Sequence, residues 1–303
     1  MLSGALSSST SPNDGIKKAL YYFLVFIVAA LFYYFFDIIL HGGVVTLYGI
    51  ANGILNYCYH LWFLLDMIVV MLLAPFINRI TGKALHYAVA LMFIFLILFR
   101  SVGLFFPEGS LIQDGGNFLS NLVPSGLLFC GYFLTGKLLY QEREHLCSRK
   151  RMPAFIFPVT SALAFYVIYQ SNIAQGMLDE TFLAANSIFV FLQCVSIFWL
   201  LLEVKVSPNF SKIIVPASQR TFGIYIIHVA VLDILTKSGI TPAGIIGIAQ
   251  GSLLLTIVLV PVEIVVIYLA SWLSACPLAP IGRLLKKAAN KISEKLFPFP
   301  EDI

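Results

Sequence analysis

Residues 57–77 read YCYHLWFLLDMIVVMLLAPFI, and this stretch decides the fold class. It is apolar over the length a helix needs to cross a hydrocarbon core of about 30 Å, roughly 20 residues. It carries two ionisable groups, His60 near its head and Asp66 further in. The next residues, Asn78 and Arg79, end the run. A soluble domain does not spend so long a run on apolar residues, so the solvent of this segment is lipid.

The rest of the chain agrees. Hydrophobic residues make up 59% of its 303 positions and charged residues 11%, against about a quarter charged in soluble domains. The mean hydropathy is +0.91. Apolar runs recur at about 19–40, 57–77, 85–103, 118–139, 154–171, 181–203, 218–236 and 245–274. The expectation is an all-α, polytopic membrane helix bundle of about eight transmembrane helices. No connecting piece is long enough for a soluble domain. The five cysteines, Cys58, Cys130, Cys147, Cys194 and Cys276, show no C-x-x-C spacing, so they read as small core residues rather than as a disulfide framework or a metal site.

The net charge of +4 follows topology rather than an anionic partner, and no nucleic-acid partner is expected. With both termini cytoplasmic, all of the nineteen Lys and Arg residues except Arg100 and Lys237 fall on the inner side, as the positive-inside rule requires. This orientation implies a multi-pass membrane protein. Residues 1–280 form the membrane domain, and 281–303 form a basic tail. Leu285, Ala289, Ile292 and Leu296 make one stripe of that tail, so it reads either as an interfacial helix on an anionic leaflet or as a solvated end.

Depth follows from the helical rise of about 1.5 Å per residue. Asp66 lies on the order of 14 Å into the second segment, near the midplane, where a carboxylate is costly and marks function or a protonated, hydrogen-bonded carboxyl. His60 and Trp62 sit at its outer end with Tyr57 and Tyr59, in an aromatic belt or an outward vestibule. In the seventh segment, SQRTFGIYIIHVAVLDIL, His228 is roughly 15 Å deep, with Tyr225 three positions earlier on the same face. Asp37, Arg100 and Asp233 cluster at outer helix ends. Glu263 follows Pro261 in the eighth segment, where it needs a partner. Asp66 and His228, both at mid-depth, are expected to line one interior cavity with Tyr225.

Three short motifs resemble the integral-membrane acyltransferases called acyltransferase 3, which include O-antigen and enterobacterial common antigen O-acetyltransferases. They are MLSGAL at 1–6, YHLWFL at 59–64 followed by LLAPFI at 72–77, and S-x-x-T-F-G-I-Y-x-x-H from Ser218 to His228. The resemblance implies about ten helices and transfer of an acetyl or other acyl group from cytoplasmic acyl-CoA to a sugar hydroxyl, often on a lipid-linked glycan. The family's first helix, with an arginine followed about ten residues later by a histidine, has no counterpart here. The chain is therefore expected to be N-terminally truncated and inactive by itself.

Within that resemblance, His228 and Asp66 are the catalytic candidates. His60, Trp62, Arg100, Tyr225 and Glu263 are candidates for substrate binding. Arg220 and Lys212, at the inner rim, are placed to meet CoA phosphates. No metal is required, and no Ser-His-Asp order or G-x-S-x-G elbow supports a covalent serine route. A transporter or flippase for a glycan or small solute is the alternative, because midplane Asp66 and His228 could also relay protons. The internal repeats and paired broken helices common in transporters are not visible.

Overall fold

The computed structural model describes residues 1–7, 11–56, 60–106, 109–122, 125–149, 151–175, 181–202, 204–239 and 253–297. Tyr57, Cys58, Tyr59, the first part of the eighth apolar run (245–252) and the end of the tail (298–303) lie outside the described residues. Among the described residues the structure is helical, with no strand. An all-helical protein is what a bilayer demands, since only intrahelical bonds satisfy every backbone amide without water.

Four helices are long and apolar enough to cross a membrane: Pro12–His41, Gly82–Gly103, Arg151–Ile173 and Thr181–Leu201. A bent pair, Val258–Ser274 and Leu278–Leu296, makes a fifth if counted as one span. The expected eight are therefore not all present as full spans among the described residues. Apolar run and helix differ in extent. The helix within run 57–77 is Trp62–Ile77, of 16 residues, and that within run 118–139 is Ser125–Gln141, of 17. Both fall short of the roughly 20 residues of a perpendicular crossing.

The chain divides into two compact units, Met1–Ala19 with Asp66–Lys205, and Leu20–Leu65 with Val206–Pro300. In the first, the short helix α1 (Leu2–Leu6) packs on α7 (Ser125–Gln141) through glycine on both sides. A Cβ on Gly4 would meet the Phe133 carbonyl oxygen at 1.9 Å, and one on Gly136 would meet the Met1 carbonyl oxygen at 2.1 Å. Small residues here let two backbones touch, the usual device where lipid gives helices no hydrophobic reason to associate. Lys137, also on α7, donates to the carbonyls of Ile77 at 3.4 Å, Asn78 at 2.7 Å and Ile80 at 2.7 Å. It thereby caps the C-terminal end of α4 (Trp62–Ile77), where orphan carbonyls and the helix dipole favour a cation.

Helix α5 (Gly82–Gly103) contains a π-helical stretch, Phe93–Leu98, packed against Tyr132 and Phe191. After α6 (Leu111–Leu122) and α7 come α8 (Arg143–Cys147), α9 (Arg151–Gln175) and α10 (Ile188–Leu201). The indole of Trp199 donates to Leu146 O at 2.9 Å, and the Tyr132 hydroxyl donates to Ala185 O at 2.6 Å. Each buried polar tip is thus satisfied by backbone. The cysteines correct the sequence expectation in part: Cys130 is buried, whereas Cys194 and Cys276 are exposed. A thiol is apolar enough to face lipid without penalty, so in this solvent cysteine does not report the core.

The second unit holds most of α2 (Pro12–His41), α3 (Leu47–Asn56), α11 (Pro208–Lys237), α12 (Leu253–Ser274) and α13 (Leu278–Leu296). Its core joins Phe26, Ala30 and Tyr33 of α2 to Ile224, Ile227 and Ala230 of α11, with Leu61 and Leu64 fully buried among them. Gly223 brings α11 close to the end of α12, where a Cβ would lie 3.0 Å from that of Ala275. A 60° bend separates α12 from α13. On α13, Ala289 and Ser293 are fully buried while Leu284 and Leu296 are exposed. Of the stripe itself, Ala289 is buried, Leu285 and Ile292 are partly buried and Leu296 is exposed.

Candidate active site

Two imidazoles meet in the second unit. The ring centroids of His60 and His228 are 5.5 Å apart with the planes nearly perpendicular. Tyr225 lies 6.1 Å from His60 and 6.0 Å from His228, and its hydroxyl donates to the His60 carbonyl. Tyr33, from α2, sets its ring edge-on to His60 at 4.6 Å. The position of His60, just before α4, places its side chain against the turn of α11 that carries His228.

The hydrogen bonds assign the protons. His228 Nδ1 faces its own Tyr225 carbonyl at 2.7 Å, and His60 Nε2 faces the Ile226 carbonyl at 3.4 Å. A carbonyl only accepts, so each of these nitrogens carries the hydrogen. The lone pairs are left on His228 Nε2 and His60 Nδ1. In their neutral form the two imidazoles, each with one nitrogen tied to backbone and the other without a hydrogen-bond partner among the described residues, form a constellation able to take a proton from a hydroxyl.

A cavity of about 410 Å³ in the same unit lies along α2, α11 and α13, and on α11 it is lined as far as Ile226 and Ile227, next to His228 in sequence. Its walls are apolar, formed by Val25, Phe32, Ile226, Ile227 and Leu285 among others. The charged groups that line it are all cations: Arg220, Arg283 and Lys286. Arg220 places its guanidinium 4.0 Å above the Trp272 ring, which orients it. Its Nη1 is buried and has no hydrogen-bond partner in the protein. A buried donor of this kind is costly unless something accepts from it.

The remaining expected residues stand elsewhere. Asp66 belongs to the first unit, where Ser125 Oγ donates to its Oδ1 at 2.6 Å and where the residue is 6% exposed. Arg100, in the same unit, donates to the Asn117 side chain. Asp37 pairs with His41 at 2.8 Å, one turn along α2. Glu263 is buried on α12, Trp62 is nearly half exposed and Lys212 is exposed near the start of α11. Of the two cations assigned to one role, only Arg220 lines the cavity. Tyr33 was not marked from sequence: a tyrosine in LFYYFFD looks like any apolar-run aromatic, and only its hydroxyl's partners distinguish it.

Among the described residues no group of three or more His, Cys, Asp or Glu side chains could hold a metal ion. No curated protein matches the chain. No solved structure matches it either. The family described as Acyl_transf_3, acyltransferase domain, matches residues 15–275. That span takes in the histidine pair and nearly all of both units. With most of its length matched to that family and its spanning helices in place, the chain belongs to the Acyl_transf_3 acyltransferases and is a multi-pass membrane acyltransferase.

Proposed function

We propose that this protein moves an acetyl or other acyl group from acyl-CoA to a sugar hydroxyl of a lipid-linked or cell-surface glycan, in a bacterial inner membrane with both termini cytoplasmic. One observation supports this most: the cavity is lined both by the cations Arg220, Arg283 and Lys286 and by Ile226 and Ile227, which stand in the turn of α11 that carries His228. Arg220 and His228 are eight residues apart on one helix, about 12 Å along its axis. A pantetheine arm spans that interval. The CoA phosphates rest on Arg220, Arg283 and Lys286 at the cytoplasmic rim, where the basic residues of this chain collect. The thioester then arrives beside the imidazoles.

The chemistry needs a base. The lone pair of His228 Nε2 takes the proton of the acceptor hydroxyl as that oxygen attacks the thioester carbon. The C–O bond forms, the C–S bond breaks, and the imidazolium returns its proton to the departing thiolate. His60 keeps the second imidazole in the site, and Trp62 offers a ring face to a sugar approaching from the outer side. Excluding water from an apolar cavity also protects the thioester from hydrolysis.

The test is to supply acetyl-CoA labelled in the acetyl group to membrane vesicles holding the protein and to follow label into extractable glycolipid. Transfer that disappears in His228→Ala, with CoA binding retained, supports the proposal. Undiminished transfer in that variant removes the base from this site.

A further inference from the structure

We infer that Tyr33 is a positioning residue that braces α11 at the turn carrying His228 and holds His60 beside it in the Nε2–H tautomer; the catalytic meaning of this rests on the acyl-transfer reading above. In a regular helix the Ile226 carbonyl accepts from the amide four residues later, that of Ala230. The Tyr33 hydroxyl stands at both groups. It donates to Ile226 O at 2.6 Å and accepts from Ala230 N at 3.3 Å. One proton and two lone pairs allow a hydroxyl to do both at once. Both groups belong to one turn of the helix Pro208–Lys237, so the hydroxyl ties α2 to that turn.

The bracketed turn, 226–230, has His228 at its centre. The same Ile226 carbonyl takes a second donor, His60 Nε2, at 3.4 Å. The carbonyl that Tyr33 binds is thus the one the imidazole reaches, and the edge-on ring of Tyr33 at 4.6 Å limits how that imidazole can rotate. Tyr33 is only 3% exposed, so its hydroxyl has no water to turn to and its two backbone partners fix its place. Tyr33 touches neither the thioester nor the hydroxyl in this scheme. It acts through Ile226 and His60.

Tyr33→Phe keeps the ring and removes the hydroxyl. The tie between α2 and this turn is then gone, and the 3.4 Å contact of His60 Nε2 with the Ile226 carbonyl is no longer held by a hydroxyl fixed to the same atom. Two measurements on the full chain in lipid nanodiscs test this. With ¹⁵N-labelled histidine, the parent protein shows His60 protonated at Nε2, and Tyr33→Phe shows a mixture of tautomers; a His60→Gln sample assigns the signal. In the transfer assay Tyr33→Phe lowers kcat by up to roughly 100-fold, the scale of a misplaced catalytic group, with KM for acyl-CoA and the thermal midpoint nearly unchanged. An unchanged tautomer overturns the inference, as does an unchanged kcat. A changed tautomer in a protein that transfers no acyl group supports the positioning role and overturns the acyl-transfer reading instead.

Discussion

Replacing Arg220 by alanine tests the cation end of the cavity without requiring turnover. Three cations line the cavity, but they are not equal. Arg283 and Lys286 are exposed, whereas Arg220 is partly buried, stacked on Trp272 at 4.0 Å and left with an unpartnered buried Nη1. A hydrogen bond between a buried guanidinium and a phosphate is worth about 1.5–3 kcal/mol. At about 1.4 kcal/mol per factor of ten, Arg220→Ala raises the Kd for CoA roughly 10- to 150-fold. An exposed ion pair contributes about 0.2–1 kcal/mol, so Arg283→Ala or Lys286→Ala raises Kd by no more than about fivefold. Arg220→Lys keeps the charge but not the planar stack or the fixed fork, and falls in between. Equilibrium binding of labelled CoA to the purified protein in nanodiscs reads all four variants. Added salt weakens the two exposed contacts more than the Arg220 contact, because a Debye length of about 8 Å at physiological ionic strength screens exposed charges most. Equal losses for all three alanine variants refute the argument, since burial would then not rank them. An unchanged Kd in Arg220→Ala removes CoA from this cavity.

Lys137→Met leaves the α4 carbonyls without their ammonium and lowers stability by about 3 kcal/mol or more, read as a fall in thermal midpoint, because two of its bonds are short and the residue is buried. Gly4→Ala forces α1 off α7, since the new Cβ would be 1.9 Å from a backbone oxygen that cannot yield; the cost is about 1–3 kcal/mol, read as a fall in thermal midpoint. A cysteine placed at Gly109, where φ is +76° in an exposed turn, reacts with an impermeant maleimide from the periplasmic face, and one at Lys295 does not; the reverse pattern inverts the proposed topology.

Class and family were legible in the residues alone. Apolar content and the length of the runs state the solvent, and the solvent then permits only helices, because backbone amides find no other partners in lipid. The short motifs from Ser218 to His228 and from Tyr59 to Ile77 carried the family. The number of full spans was not legible, because an apolar run is a statement about transfer free energy and a helix end is a statement about hydrogen bonds. The two ends part by several residues at Trp62 and at Ser125.

The site shows a sharper limit. Counting residues along a helix yields depth, and depth placed Asp66 beside His228. The structure sets Asp66 on Ser125 in the first unit and His60 against His228 in the second, a pairing that depth did not single out. Depth is one coordinate of three. Which helices are neighbours, and which face each turns to the other, depends on contacts between residues 166 and 193 positions apart, such as His60 and Tyr33 on the Ile226 carbonyl. Those pairings belong to the buried core that Ala29, Ala30 and Tyr33 of α2 share with Ile227 and Ala230 of α11, a property of packed surfaces that no single helix contains.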